Sequence, residues 1–358
     1  MTESDVYIKL REHLDSLPVG YPATKSGVEL RILRRLFTEE EAEMACHLTP
    51  FAATAEQIAQ KSGHTPADAE KLLEQMGRKG LIFTSRKGGV STYRASWFTV
   101  GILEQQVTRL TKEFLEDVEQ YIEEGFRDEI ISASTPQLRV IPVQASFDST
   151  MQIAPYDSVR ELVKQQSKLA VAECICRKGA QLKGEGCGKP LETCLVFGAG
   201  AYYYLENGFA REISQEEALE ILDKAEEAGL VLQPGNAQKT FNICCCCGDC
   251  CEILKNLRKF PKPSEMVATN YYAQVDPELC SSCETCLDRC QMDAITVPDT
   301  AVIDLDRCIG CGLCVTTCPS DAITLKQKEP SKMIVPPATG TDLYIKIGTE
   351  RQQRQKPA

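Results

Sequence analysis

The chain has 358 residues, 43% of them hydrophobic and 25% charged, and its formal net charge is -11 at pH 7. This length and composition predict a globular protein of two or three domains, and the acidic balance argues against nucleic acid or an anionic membrane as the main partner. The sequence lacks the run of about 18 apolar residues that a membrane-spanning helix needs, so we expect no membrane insertion.

The cysteines are the unusual feature of this composition. There are 19 of them, an odd number, and the mixed charges of residues 1–17 are not typical of a secretory signal. We therefore expect a cytoplasmic protein whose cysteines bind metal rather than form disulfides. Cys46 alone precedes residue 170 and is interpreted as a small buried side chain, whereas the other 18 lie between Cys174 and Cys318.

The front of the chain predicts a polar arm, three helices and a β-hairpin. The strongest helix signal is Thr65 followed by Pro66, a capping residue and a proline at the first helical position. The glycines of Lys87-Gly88-Gly89 predict the hairpin turn. The predicted segments are an N-terminal arm at 1–27, helices within 28–80, a hairpin at 81–95 and a long helix at 103–124.

Three helices followed by a hairpin resemble a winged-helix domain, and this resemblance covers about residues 28–97 of a domain predicted at 28–130. DNA binding by such a domain needs Lys and Arg to neutralise phosphates. The predicted recognition helix instead mixes acids and bases, namely Asp68, Glu70 and Glu74 with Lys71, Arg78 and Lys79. We therefore interpret this domain as a scaffold or protein-docking module, with DNA binding as the alternative.

The rest of the chain predicts a linker, a central cysteine-rich α/β domain, a ferredoxin-like domain and a tail. A capping box at Ser214–Glu217 begins the clearest helix of the central domain. The expected fold class is therefore α+β. The predicted segments are a proline-spaced linker at 131–155, the central domain at 156–268, the ferredoxin domain at 269–327 and an extended tail at 328–358. Within the central domain the predicted elements are a helix at 156–168, a strand at 169–176, a helix at 214–229 and a strand at 230–232.

Eight cysteines of the ferredoxin segment form two copies of the spacing C-x2-C-x2-C-x3-C. The copies begin at Cys280 and Cys308, 28 residues apart, and Pro319 follows the second. The flanks also repeat, because Asp293-Ala294-Ile295-Thr296 matches Asp321-Ala322-Ile323-Thr324, and Val275-Asp276 is matched to Leu305-Asp306. This duplication resembles the two-cluster bacterial ferredoxins, and it is a poor zinc-ribbon pattern.

The ferredoxin resemblance implies two [4Fe–4S] clusters, each taking its fourth thiolate from the other copy. It implies that one cluster is held by Cys280, Cys283, Cys286 and Cys318, and the other by Cys308, Cys311, Cys314 and Cys290. Gly310 and Gly312 permit the tight second loop, whereas Ser282 and Glu284 stand in the first. Gln291 replaces the usual proline. These departures affect the potential of the first cluster without removing a ligand.

A further ten cysteines lie between Cys174 and Cys251. Their density is hard to explain as core packing, and we expect them to hold one or two additional [4Fe–4S] clusters, with zinc and redox-active thiols as alternatives. Nearby Arg177, Lys178, Lys183 and Lys189 would offset the negative charge of a cluster. The expected ligands, whose pairing does not follow from the sequence, are Cys174, Cys176, Cys187, Cys194, Cys244, Cys246, Cys247, Cys250 and Cys251.

Residues 150–327 together resemble a set of 4Fe–4S dicluster proteins of anaerobic bacteria. The resemblance rests on Cys174-Ile175-Cys176-Arg177, Pro190-Leu191-Glu192-Thr193-Cys194, the Asn242–Cys251 run and the two ferredoxin repeats. It implies electron transfer without indicating a substrate. We expect a subunit or partner of an anaerobic oxidoreductase complex, bound to a redox partner protein. The alternatives are a redox-sensing transcription regulator that acts through the winged helix, and an enzyme with an open-site cluster in the central domain. The glycines at 184–188 do not match a phosphate loop, so no nucleotide site is expected.

Overall fold

The computed structural model describes residues 5–355, so the ends of the predicted arm (1–4) and of the predicted tail (356–358) lie outside the described residues. The chain divides into two compact units. Unit 1 combines the residues up to 133 with 199–211 and the residues from 344 onward, and unit 2 combines 134–198 with 212–343. Both units therefore contain segments that are distant in sequence.

The helices alternate with irregular segments throughout the described chain. In chain order they are α1 Val6–Asp15, α2 Val28–Leu36, α3 Glu39–Ala45, α4 Ala55–Ser62, α5 Pro66–Arg78, α6 Lys112–Tyr121, α7 Arg127–Ile131, α8 Val159–Lys164, α9 Ile175–Lys183, α10 Ala199–Glu206, α11 Gln215–Glu227, α12 Glu252–Leu257, α13 Thr285–Arg289 and α14 Gly340–Gln355.

The strands are short and form a hairpin, a larger sheet and two strand pairs. In chain order they are β1 Ile82–Lys87, β2 Val90–Ala95, β3 Leu169–Glu173, β4 Glu192–Phe197, β5 Arg211–Glu212, β6 Val231–Pro234, β7 Asn242–Cys246, β8 Tyr271–Val275, β9 Ile295–Thr296, β10 Val302–Ile303 and β11 Ile323–Gln327.

The capped helix α5 and the hairpin of unit 1 agree with the sequence, although residues 28–80 form four helices rather than the predicted three. The Thr65 hydroxyl accepts from the Asp68 N–H at the start of α5, with Pro66 at the first position. Strands β1 and β2 pair antiparallel around the predicted glycine turn, from Ile82–Ala95 to Lys87–Val90. These signals are local, because a cap or a two-residue turn is specified by its own residues.

Both ends of the described chain are helical, so the predicted polar arm and the predicted extended tail were wrong. Helix α1 occupies the predicted arm and buries Tyr7, Leu10 and Leu14. Helix α14 occupies the predicted tail, where the nearly buried Arg351 pairs with Asp15 and Glu129 at 2.6 Å each. The apolar and ionic partners of these helices come from distant parts of unit 1, which local sequence signals do not reveal.

The predicted long helix at 103–124 begins later than expected. Thr111 caps α6, so the helix starts at Lys112, and it continues through one turn of π-helix into α7 and ends at Ile131. Before it, the buried Gln106 amide donates to the carbonyl oxygen of Lys79 at 3.1 Å. This side-chain contact stabilises a short 3-10 helix at Glu104–Gln106, where the sequence predicted the start of the long helix.

Helix α10 belongs to unit 1, although the sequence placed it in the central domain. The buried Tyr203 hydroxyl lies 2.8 Å from the carbonyl oxygen of Ile82 and 3.0 Å from that of Gly77. Tyr203 packs in the core of unit 1.

Unit 2 contains a sheet with the strand order β5-β3-β4-β7-β6. The pairs β3–β4, β4–β7 and β7–β6 are antiparallel, so the central part is not the α/β arrangement that the sequence predicted. Helices α8 and α11 contribute to the core together with the sheet, through side chains that include Leu162, Leu222 and Leu195.

The predicted linker packs into the core of unit 2. Val140, Ile141 and Val143 are buried, and the Ile141 N–H donates to the carbonyl oxygen of Leu232 at 3.2 Å. The linker prediction was therefore wrong, because the prolines of this segment signal an irregular backbone and carry no information about its burial.

The ferredoxin segment of unit 2 is built from two antiparallel strand pairs. Strand β8 pairs with β11, and β9 pairs with β10. The N–H of Asp276 donates to Ala322 and the N–H of Asp304 donates to Ala294 in the same way. Asp276 therefore corresponds to Asp304, at the same 28-residue offset as the cysteines, and the proposed match to Leu305-Asp306 was wrong by two residues.

Within residues 5–355, no helix is both long enough and apolar enough to span a membrane.

Candidate metal centres

Four thiols from the two ferredoxin repeats surround one cavity. It encloses about 300 Å³, and the three cysteines of the first loop meet a fourth from the second repeat. Cys283 is exposed, whereas Cys286 is buried, so one side of this cavity faces solvent. The cysteines that line it, here called the first quartet, are Cys280, Cys283, Cys286 and Cys318.

A second cavity of about 390 Å³ is lined by three cysteines of the second repeat and one of the first. Burial raises the pKa of Cys311 to about 12 and also raises that of Cys314. A metal must therefore displace protons from these thiols to bind them. The cysteines that line this cavity, here called the second quartet, are Cys290, Cys308, Cys311 and Cys314.

The backbone around both quartets fits a metal cluster. The Ala301 N–H donates to the Cys280 sulfur at 3.3 Å and the Ala294 N–H donates to that of Cys290 at 3.2 Å. Such N–H groups stabilise thiolates and influence the reduction potential of a bound cluster. Gly310 (φ +66°) and its counterpart Ser282 (φ +53°) are both left-handed, so the two loops share one backbone path despite different residues.

Three thiols of the central part converge on one point. Their sulfur atoms all lie within 4.8 Å of one another, and those of Cys187 and Cys247 are 3.9 Å apart. Cys187 belongs to the loop after α9, whereas the other two follow β7. We call Cys187, Cys247 and Cys250 the three-thiol group.

Five further thiols lie next to one another and form a separate group. Cys174 neighbours Cys176, Cys176 neighbours Cys251, Cys251 neighbours Cys246, and Cys246 neighbours Cys244. The bond to Cys176, followed by burial, raises the pKa of Cys174 well above its usual value. We call these five residues the five-thiol group.

The start of α9 brings two members of the five-thiol group together. The sequence predicted that the strand at 169–176 includes Cys174 and Cys176, and that prediction was wrong. Strand β3 ends at Glu173, Cys174 is the N-cap of α9, and Cys176 lies in its first turn. The tight turn of a helix start brings the two thiols into contact, which an extended strand would not do.

The remaining cysteines lie outside both groups. Cys194 is the cross-strand neighbour of Cys244. Cys245, which the sequence did not count among the ligands, is buried in the core of unit 2. Cys46 is half-buried rather than fully buried, its thiol donates to the carbonyl oxygen of Ala42, and burial raises its pKa to about 11.

Arg177 is the cation closest to these thiols, and it is only 2% exposed. Its guanidinium donates to the carbonyl oxygens of Pro190 at 2.8 Å and Cys245 at 2.9 Å, and lies 4.0 Å from the Cys247 sulfur. Burial opposes its charge, but the thiols, with Cys174 first, raise its pKa overall. The sequence indicated a compensating charge here, but not that Arg177 would be buried between the two groups.

The three neighbouring lysines interact less directly with the thiols than Arg177 does. Lys178 pairs with Glu173, Lys183 with Glu185, and Lys189 with Asp249. Burial raises the pKa of Cys247, but the Cys250 N–H, Arg177 and, to a smaller extent, Lys189 lower it, and the overall direction is down. Arg177 and Lys189 are therefore the cations that favour thiolates in the three-thiol group.

Gln291 joins the ferredoxin segment to the cysteine-rich loop. Its side-chain oxygen accepts from the Gly248 N–H at 2.8 Å, between Cys247 and Cys250. The residue directly before it, Cys290, belongs to the second quartet. The sequence identified Gln291 only as a departure from proline, because its partner is 43 residues away.

We expect Gln291→Ala to loosen this junction. A buried N–H that loses its acceptor costs about 1–3 kcal/mol, so the Gly248 amide should exchange with deuterium roughly tenfold faster or more. Gln291→Glu keeps an acceptor oxygen and is the control. Equal exchange in Gln291→Ala and the unchanged protein would show that this hydrogen bond does not stabilise the loop.

The comparisons with known proteins agree with the ferredoxin geometry. The family described as 4Fe-4S binding domain matches the chain twice, at residues 273–296 and 301–324. This match supports a ferredoxin-type region with two [4Fe–4S] clusters and an iron–sulfur electron-transfer role. No curated protein and no solved structure matches the chain.

Proposed function

We propose that this protein relays electrons between the ferredoxin segment and the cysteine-rich centre of unit 2, as a component or partner of an oxidoreductase complex. The observation that carries the proposal is the pair of cavities, each lined by four thiols drawn from both repeats. This arrangement supports Cys280, Cys283, Cys286 and Cys318 as ligands of one [4Fe–4S] cluster, and Cys290, Cys308, Cys311 and Cys314 as ligands of the other. Bound [4Fe–4S] clusters supply one-electron redox chemistry.

The packing between the second quartet and the central part supports a relay. Cys290 and Cys311 pack against the core that contains β7 and α12, and the Val143 N–H donates to the carbonyl oxygen of Cys311 at 3.0 Å. Together with the bond between Gln291 and Gly248, these contacts hold the second quartet beside the central cysteines.

We further propose that the five-thiol group, with Cys194 beside it, binds an additional iron–sulfur cluster. The group offers more thiols than the four that a cubane needs, and Arg177 supplies positive charge next to them. The main role of the protein here is to hold the thiols together and to lower the cost of burying a negatively charged cluster.

We propose that a redox partner docks at the surface around the first quartet. Cys283 is exposed. Leu279, next to Cys280, is 53% exposed and Val302, next to Ala301, is 52% exposed. Apolar side chains around an accessible metal centre favour a protein partner over a small soluble substrate. None of the 19 cysteines is paired in a disulfide, and we propose a reducing, cytoplasmic location.

We interpret α3–α5 with the β1–β2 hairpin as a winged-helix-like scaffold. Lys79 pairs with the buried Glu41 at 2.5 Å and Arg86 pairs with Glu74 at 2.6 Å. These cations are thus occupied within the domain, which weighs against the alternative of a DNA-binding regulator. No retention on DNA is expected.

Iron and acid-labile sulfide analysis of anaerobically purified protein tests the proposal. The two quartets predict about eight irons, and a cubane on the five-thiol group would raise the total to about twelve. Dithionite reduction should give EPR spectra with magnetic coupling between the clusters. Fewer than about eight irons, or an absence of reducible signals, would contradict the electron-transfer assignment.

Cys246→Ala separates the central cluster from the ferredoxin clusters. It should remove the central iron and leave the ferredoxin signals, whereas Cys245→Ala in the same cysteine run should keep all the iron. Equal iron content in the two variants would contradict a cluster on the five-thiol group.

A further inference from the structure

We propose that the three-thiol group binds a single zinc ion through three thiolates, with a fourth coordination position open to a small thiol ligand. This site is distinct from the clusters of the proposed function. It would make the protein an iron–sulfur protein with a separate zinc centre in unit 2.

The spacing of the sulfur atoms carries the proposal. A tetrahedral ion with zinc–sulfur bonds of about 2.3 Å holds its sulfurs about 3.8 Å apart, and Cys187 and Cys247 lie 3.9 Å apart. Within residues 5–355, no other three Cys, His, Asp or Glu side chains bring their ligand atoms within 4.8 Å of one another. The sulfurs of the ferredoxin quartets are spread more widely, because no three of them lie within 4.8 Å of one another.

A multi-iron cluster separates its ligand sulfurs because each binds a different iron. The quartets, the five-thiol group and the three-thiol group belong to the same unit, and among the described residues only the three-thiol group brings three sulfurs within 4.8 Å of one another. The wide spacing suits clusters, and the close spacing suits one ion.

The fourth position has no ligand from the described chain. The nearest carboxylate in sequence, Asp249, pairs with Lys189 at 3.0 Å and is not part of the group. Cys187 is partly exposed, in a loop whose residues Gly184–Gly186 are exposed. Zinc sites with three protein ligands keep their fourth position for water or substrate, whereas structural sites are closed.

The charges around the site favour a thiol as the external ligand. Three thiolates and Zn²⁺ carry a net charge of about -1, and the Arg177 guanidinium 4.0 Å from the Cys247 sulfur offsets it. An ion already bound to three soft sulfur donors accepts a fourth soft donor readily. On binding, the sulfur of the external thiol forms a bond to zinc and its proton leaves to solvent.

Metal analysis of the full-length protein tests the site. The unchanged protein should contain about one zinc per chain, because the three-thiol group offers one ion site. Loss of an outer-shell partner lowers metal affinity by about 10–100-fold. Cys187→Ser removes a direct ligand, so its zinc affinity should fall by more than that. Its iron and sulfide content should stay unchanged. The control is Cys46→Ser, which removes a half-buried thiol of unit 1. This variant should contain as much zinc as the unchanged protein.

Cobalt substitution of the unchanged protein provides a second readout that does not depend on any variant folding. Tetrahedral Co²⁺ with three thiolates should give intense sulfur-to-cobalt charge-transfer bands, and added 2-mercaptoethanol should shift them. A protein without zinc, or joint loss of iron and sulfide from Cys187→Ser, would overturn the zinc site in favour of a cluster. Bands unchanged by 2-mercaptoethanol would overturn the open position. Either result leaves the ferredoxin EPR signals, and hence the test of the proposed function, unaffected.

Discussion

Replacing Arg177 by methionine is expected to destabilise unit 2 by about 3–5 kcal/mol, because it removes one partner of a buried charged network. The carbonyl oxygens of Pro190 and Cys245 would lose their donors. The thiols of Cys174 and Cys247 would also lose the cation that favours their ionised form. We expect a lower thermal unfolding midpoint and loss of metal from both central groups, measured by calorimetry and metal analysis.

Lys178→Met is the matched control for this experiment. Lys178 is the next residue of α9 and also a cation, but it is partly exposed and pairs with Glu173. Loss of such a pair changes stability by at most about 1 kcal/mol. Arg177→Lys should fall between the two, because one ammonium cannot reach both carbonyl oxygens. If Arg177→Met kept its metal and unfolded at the temperature of Lys178→Met, the central role of Arg177 would be refuted.

Gly310→Ala is expected to disrupt the second ferredoxin loop. Gly310 has φ +66°, and a Cβ there would clash with the carbonyl oxygen of Tyr271 in β8. The left-handed backbone and the overpacking together cost about 3 kcal/mol or more. We expect the variant to lose about four irons and the EPR signal of the cluster on the second quartet.

Ser282→Gly tests the same backbone position of the first loop. Ser282 already tolerates φ +53° with a side chain, and its hydroxyl donates to the carbonyl oxygen of Asp299. Relief of strain and loss of this bond oppose each other, so stability should change by about 1 kcal/mol or less. A Gly310→Ala protein with full iron content would show that Tyr271 does not constrain the loop.

Local signals predicted much of the fold correctly. Ser214 caps α11 through the Glu217 N–H, as the capping signal at Ser214–Glu217 indicated. The turn of the β1–β2 hairpin lies at the two glycines that predicted it. Helix α1 was missed because its face has only Tyr7, Leu10 and Leu14 buried, within a polar segment whose partners are distant. The strand expected at 169–176 ended early because the apolar pattern of Leu169–Ala172 says nothing about where a helix begins.

The candidate sites also differ in how well the sequence predicted them. The spacing of the ferredoxin cysteines suggested which three thiols of each loop lie together, and the resemblance to two-cluster ferredoxins implied the fourth. The central cysteines offered no such rule. Cys187 reaches Cys247 from a separate loop, and Cys176 reaches Cys251 from the start of α9.

The sequence by itself determined the caps, the turns, the duplicated cysteine loops and the presence of a metal-binding centre, because each depends on residues close together in the chain. Tertiary structure alone decided how the central thiols divide into two groups, that Arg177 is buried beside both, and that Gln291 contacts Gly248. These features depend on which distant segments pack together, and packing is a property of the whole core rather than of any local pattern.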